Sequence, residues 1–247
     1  IQADSSGRIS RSALQETVGA VLEEQKSLSS IYAQFEPDGY DGQDRYFTGG
    51  VEEHSSDEGT LEIYYYREPD GKVQFSRTED PSTKHLENLN EFGIREAEWY
   101  LWSRDTKAPC IMEPYEYEIS EGYSGLMTSL VVPILDDGTF AGVVGVDINL
   151  STLQKTIAGV SQELFGGQSR VTLISEQGLI AASSHYESHL GRPLQEAVPD
   201  HGSTFAGLHQ GEGIVDDSHT LAACDHLFHA LPTTVRSTLI DVSRGVV

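Results

Sequence analysis

Carboxylates and aromatic rings are the side chains of this sequence with most chemistry to offer. Asp147 stands near the end of the apolar run Gly142–Ile148. Trp99 lies beside Tyr100, Tyr64, Tyr65 and Tyr66 are consecutive, and Tyr115 and Tyr117 closely follow Glu113. Carboxylates accept hydrogen bonds and attract cations; aromatic faces stack on flat rings or hold ammonium groups. Catalytic patterns do not assemble in the same way. Gly122-Tyr-Ser-Gly125 lacks the Gly-x-Ser-x-Gly spacing of a nucleophile elbow. Gly71, Gly138 and Gly178 read as hairpin turns rather than a phosphate loop. Asp38, Asp41 and Asp44 lack calcium-loop spacing. His185, His189, His201, His209, His219, His226 and His229 enrich the second half but read as scattered surface histidines. Cys110 and Cys224 form no Cys-x-x-C pair and read as two buried thiols, with one disulfide in an oxidising compartment as the alternative. No catalytic residue, metal ligand or cofactor is therefore expected. The carboxylates leave a secreted hydrolase as the one enzyme reading, and nothing pairs them in sequence.

Lys and Arg number 16 against 39 Asp and Glu, a net charge of −23, which repels phosphate backbones and excludes nucleic acid as a partner. The acids are dispersed (Glu52–Glu53, Glu79–Asp80, Asp136–Asp137, Asp216–Asp217), as on a secreted or periplasmic surface. No apolar run has membrane-spanning length. The chain reads as a piece cut from a longer one, with any signal or anchor outside it.

The elements that must position these residues follow from periodicity. Ile9, Leu14, Val18, Val21, Leu22 and Leu28 predict a helix over 5–30, capped by Asp4 or Ser5. Residues 30–35 alternate as a strand, and 61–67 and 72–77 form a hairpin around Pro69-Asp70-Gly71. Residues 83–104 are helical in part. Strands follow at 115–119, 128–135 and 140–148, the last two joined by Asp136-Asp137-Gly138. A helix at 151–164, capped by Ser151, places Leu153, Ile157, Val160 and Leu164 on one face. The order then restarts on a smaller scale: a hairpin 171–175/179–183, a short helical stretch 189–198, and strands near 205–208, 220–224 and 234–242. The fold class is α+β, a long N-terminal helix followed by two antiparallel-sheet units.

This order resembles the double-Cache family of bacterial sensors, whose two units are PAS-like. The resemblance rests on Phe35-Glu-Pro-Asp-Gly-Tyr-Asp-Gly-Gln-Asp44, Ile63-Tyr-Tyr-Tyr-Arg67, Trp99–Tyr100, Glu113-Pro-Tyr-Glu-Tyr117, Thr128-Ser-Leu-Val-Val-Pro-Ile134, Gly142-Val-Val-Gly-Val-Asp-Ile148 and Leu173-Ile-Ser-Glu-Gln-Gly178. It implies a helix and lead-in strand at 1–34, a membrane-distal unit with the ligand pocket at 35–150, a linking helix at 151–168 and a membrane-proximal unit at 169–247. It also implies the periplasmic part of an inner-membrane chemoreceptor. Such a receptor is anchored through segments outside this chain and is a homodimer through the N-terminal helix; a histidine kinase or cyclic-dinucleotide enzyme is the alternative output.

The pocket implied by the resemblance holds Asp147, Trp99, Tyr65, Tyr66, Tyr115, Tyr117, Glu113 and Met127. Each has a plainer reading. Asp147 could cap the next helix, Trp99 and Met127 could be core, and Glu113 could be an exposed acid. Strand side chains alternate, so at least one of Tyr64, Tyr65 and Tyr66 is structural. Amino-acid-binding members carry an Arg two residues before the Trp; here that residue is Ala97, and their Tyr-x-Asp becomes Tyr115-Glu116-Tyr117. The fork for an α-carboxylate is missing. Acidic and aromatic groups without that Arg fit a ligand rich in N–H donors or positive charge. A purine base such as hypoxanthine or guanine satisfies this, and so does an amine or betaine in an aromatic cage; the local chemistry does not choose between them.

Overall fold

The structure, a computed structural model, describes residues 9–90, 93–120, 122–163, 171–175 and 177–197. Asp4 and Ser5, the end of the expected linking helix, the expected strands beyond residue 200, Cys224 and the five histidines from His201 to His229 lie outside them. The described residues fall into two compact units, 9–112 with 129–147, and 113–128 with 148–197.

In the first unit the expected N-terminal helix is α1 (Arg11–Glu24), 14 residues and shorter than 5–30. Its cap is Ser10, whose Oγ accepts the Ala13 N–H at 3.2 Å. Leu14, Val18 and Leu22, four apart, make its buried stripe. The helix ends at the cap residue Gln25, whose N–H donates to Val21 O at 3.0 Å, and another chain segment meets it there. The Arg67 guanidinium donates to the carbonyls of Leu22 and, at 3.3 Å, Leu28. A cation there complements the helix dipole.

The sheet runs in the order β3 (Val73–Phe75), β2 (Glu62–Arg67), β1 (Ser30–Phe35), β7 (Thr139–Asn149), β6 (Tyr123–Asp136), β4 (Cys110–Ile111), with all pairings antiparallel. β1 and β7 lie centrally and are buried almost throughout, which is why 142–148 reads as a near-continuous apolar run. The β6–β7 turn has Asp137 at φ 47° and Gly138 at φ 77°, the double positive φ that Asp-Gly favours. One face of the sheet carries Ile31, Ala33 and Phe35, and α1 packs on it. The expected helical region 83–104 resolves into a 3-10 turn (Pro81–His85) and the later helix α2 (Glu98–Thr106).

The acidic loop after β1 has a structural job. Arg11 is buried, with Nη2 at 2.5 Å from Asp41 Oδ1 and 2.6 Å from Asp44 Oδ1. Its Nη1 donates to Gly59 O at 2.8 Å, and the guanidinium lies 4.2 Å over the Phe47 ring centroid.

A second buried pair ties the 3-10 turn to the sheet. Lys84 Nζ donates to Glu62 Oε1 and to Phe35 O, while Glu62 Oε2 is buried without a hydrogen bond. Burial outweighs the Lys84 charge and pushes the Glu62 carboxyl from 4.5 up to about 7. Folded protein then binds more protons than unfolded between those values, so this group's contribution to stability falls as pH rises from 4.5 to about 7 and is flat above. His54 works oppositely. Burial, then the Arg11 charge, lowers its pKa below 6.5, so its contribution is lost as pH falls beneath that value. Urea denaturation of wild type and Glu62→Gln from pH 4 to 8 separates the two. The wild-type-minus-variant difference should decline with pH by about 3 kcal/mol at most. A flat difference would show that Glu62 titrates normally.

In the second unit, β5 (Tyr115–Ser120) pairs with the first part of β6. Helix α3 (Leu150–Glu163) packs on the hairpin β8 (Thr172–Ile174) and β9 (Ile180–Ser183), followed by the short α4 (Leu194–Ala197). The α3 cap is Asn149, whose Oδ1 accepts the Ser151 N–H at 2.8 Å. Ser151 is already inside the helix, because β7 runs straight into it. The inward stripe is Leu150, Leu153, Ile157 and Ser161, and Val160 is exposed. Gln154 clamps the backbone of Ser183, donating to its carbonyl at 2.6 Å and accepting its N–H at 2.9 Å. Among the described residues no helix is long and apolar enough to cross a membrane.

Candidate functional site

The sheet face opposite α1 carries the polar and aromatic half of the alternating strands. Ser30 pairs with Tyr66 on one side and Asp147 on the other; Tyr32 pairs with Tyr64 and Gly145; Gln34 pairs with Glu62 and Val143. Directly opposed residues share a face, so the rows read Tyr66–Ser30–Asp147, Tyr64–Tyr32–Gly145 and Glu62–Gln34–Val143.

Asp147 is 3% exposed. Ser129 Oγ donates to its Oδ1 at 2.6 Å, and Ser30 Oγ donates to Oδ2. A buried carboxylate is tolerable when hydrogen-bonded. The helix-capping reading of Asp147 does not apply, since Asn149 holds that position.

Aromatic rings cover the next row. Helix α2 sets Trp99 edge-on to Tyr32, with centroids 5.2 Å apart at 77°, and Tyr100 lies 5.5 Å from Trp99 at 73°. Tyr64 and Tyr66 are nearly parallel, 6.1 Å apart at 23°. The Tyr32 ring lies across β7 where residue 145 is glycine; a Cβ there would sit 2.4 Å from Tyr32 Cζ. Tyr32, Tyr100, Val131 and Val143 form the buried cluster beneath, with Tyr64, Trp99, Cys110 and Phe140 packed against it. Trp99 thus belongs to the core and to this face at once.

The first unit therefore gathers Asp147, Tyr66 and Trp99 from the expected set on one face. Tyr65 is not with them. Alternation turns it to the α1 side, where Gly19 gives it room and Phe75 meets it edge-on at 5.0 Å. Tyr64 takes the place expected of Tyr65. Ser30, Tyr32, Tyr64 and Ser129 join Tyr66 and Trp99 around Asp147; the period-2 alternation of Ser30, Tyr32 and Gln34 with Ile31, Ala33 and Phe35 is the sequence signal for the first two. Ala97 is buried at the start of α2. Arg95, two residues before Ala97 in sequence, is paired with Glu98 at 2.5 Å and Asp105 at 2.8 Å.

Glu113, Tyr115, Tyr117 and Met127 belong to the second unit. Tyr115 and Tyr117 share a face of β5, with centroids 6.3 Å apart at 73°. Met127 is fully buried opposite Tyr115, and Tyr117 is 41% exposed. Glu113 is buried rather than exposed: its Oε1 accepts the Gln177 N–H at 2.9 Å and braces the β8–β9 turn.

A family model described as methyl-accepting chemotaxis protein-like, first PDC sensor domain, matches residues 14–155, more than half of the chain and every strand of the Asp147 face. The chain belongs to this family. Its PDC sensor fold recurs among solved structures. The extracellular domain of a protein described as a histidine kinase, mmHK1S-Z2, superposes with a TM-score of 0.61 at 21% identity, covering 83% of this chain and 70% of that one. A structure named methyl-accepting chemotaxis protein X superposes with a TM-score of 0.57 at 25% identity, covering 79% and 67%. Methyl-accepting chemotaxis protein TlpQ of Pseudomonas aeruginosa is 31% identical over 198 residues, 80% of this chain. The PDC sensor chain spans 28% of the length of that receptor.

Proposed function

We propose that this PDC sensor domain is the periplasmic, ligand-binding part of a double-Cache chemoreceptor. In this reading it is anchored through segments outside this chain and paired with a second copy through its N-terminal helix. It binds a small nitrogenous metabolite on the Asp147 face of the first unit without transforming it. The family match and the likeness to TlpQ favour chemotaxis over a histidine-kinase output. The observation that carries the ligand class is the buried Asp147 carboxylate sharing a face with Tyr66, Tyr32 and Trp99. An amine or betaine stands ahead of a purine. The Asp147 carboxylate supplies the counter-charge for a cation, and the half-buried rings of Tyr66 and Trp99 on the same face can flank it. The second reading, a purine, is favoured by the nearly parallel Tyr64 and Tyr66 rings.

A thermal-shift screen with 1,4-diaminobutane, glycine betaine, hypoxanthine and guanine, followed by calorimetry, tests this. A ligand at a hundredfold its Kd stabilises the protein by about 2.7 kcal/mol and is recovered unchanged. No shift with any amine, betaine or purine would reject the ligand class. L-Alanine and L-glutamate are expected to bind weakly or not at all, because Ala97 supplies no guanidinium and Arg95 is engaged elsewhere. Tight calorimetric binding of either would refute the argument from the missing arginine.

A further inference from the structure

We infer that Ser30 and Ser129 are positioning residues of this site, fixing the plane of the Asp147 carboxylate from the two strands neighbouring β7 so that it can receive a ligand's N–H group; the inference rests on the proposed role of Asp147. Both serines are small polar residues placed in mostly apolar strands beside the same carboxylate. Ser30 sits at the start of β1 between Tyr66 and Asp147, and Ser129 on β6 reaches the same carboxylate from the other side. Each hydroxyl donates to a different oxygen, so the carboxylate is gripped from two strands and its plane is set before any ligand arrives. Both serines are 1% exposed. A hydroxyl buried in a strand core costs free energy unless it is bonded; replacing either by Ala would be harmless to packing if the carboxylate did not need it. Two hydrogen bonds to the charged form also favour that form against burial. Among the described residues of the paired strands, the side chains sharing this face that could titrate are the phenols of Tyr32, Tyr64 and Tyr66, with Glu62 two rows away beside Lys84.

The test uses the 247-residue chain with carbon-13-labelled aspartate. The Asp147 carboxyl signal is identified by its loss in Asp147→Asn. Ser30→Ala and Ser129→Ala should each raise its titration midpoint by about one to two pH units, the double variant should raise it further, and Ser129→Thr, which keeps the hydroxyl, should restore it. Calorimetry with 1,4-diaminobutane should show binding about tenfold weaker in each Ala variant and near wild type in Ser129→Thr. In the Asp147→Asn background, adding Ser129→Ala should weaken binding no further. An unmoved midpoint overturns the inference, whatever the ligand. So does an equal loss of binding with and without Asp147, which would make the serine a packing residue only. A midpoint that moves while neither diamine nor hypoxanthine binds wild type upholds the positioning role and rejects the ligand reading instead.

Discussion

Arg11→Met is expected to destabilise the first unit by about 3–5 kcal/mol, measured as a fall in the urea midpoint. Methionine keeps the apolar stem but removes the cation, leaving Asp41 and Asp44 side by side in a site closed to water. In the native structure the same guanidinium also bonds Gly59 O and lies over Phe47, so one substitution undoes the link between α1 and the loop after β1. Desolvation by burial pulls the Arg11 pKa down, but the hydrogen bonds and charges of Asp41 and Asp44 outweigh it, and the net shift is upward. The control is decisive for mechanism. Adding Asp41→Asn and Asp44→Asn to Arg11→Met should recover part of the loss, because a buried pair removed whole costs less than one broken in half. A single variant within about 1 kcal/mol of wild type would place this cluster with ordinary surface ion pairs.

Asp147→Asn is expected to weaken ligand binding by about tenfold to a hundredfold, the equivalent of one charged hydrogen bond. The fold should survive. Asparagine keeps one oxygen as an acceptor, and a serine hydroxyl can rotate from donor to acceptor opposite the new amide. The loss should depend on salt if the ligand is an ammonium ion and scarcely at all if it is a neutral purine, because only the first is drawn by long-range attraction. Normal binding with a much lower melting temperature would mean that Asp147 serves packing alone.

Features written in local chemistry were legible in the sequence. Asp137-Gly138 reads as a hairpin turn because its backbone needs two positive φ values, and neighbours in sequence suffice to specify that. The stripe Leu14, Val18, Leu22 marks a helix for the same reason, and the alternation in 30–35 marks a strand. The acidic and aromatic residue types of the proposed binding face, and the alanine at position 97, could likewise be read directly from the chain. What only the tertiary structure decided is which of these residues meet. Alternation says that Tyr64, Tyr65 and Tyr66 must divide between two faces, but the packing of α1, whose Gly19 makes room for the ring, puts Tyr65 on the helix side. The carboxylates of Asp41 and Asp44 find Arg11 at separations of 30 and 33 residues. Ser30 finds Asp147 at 117. Helix periods and turns act over a few residues, whereas pairing across a sheet joins strands at any separation, and no local pattern in Ser30 records the carboxylate it will hold.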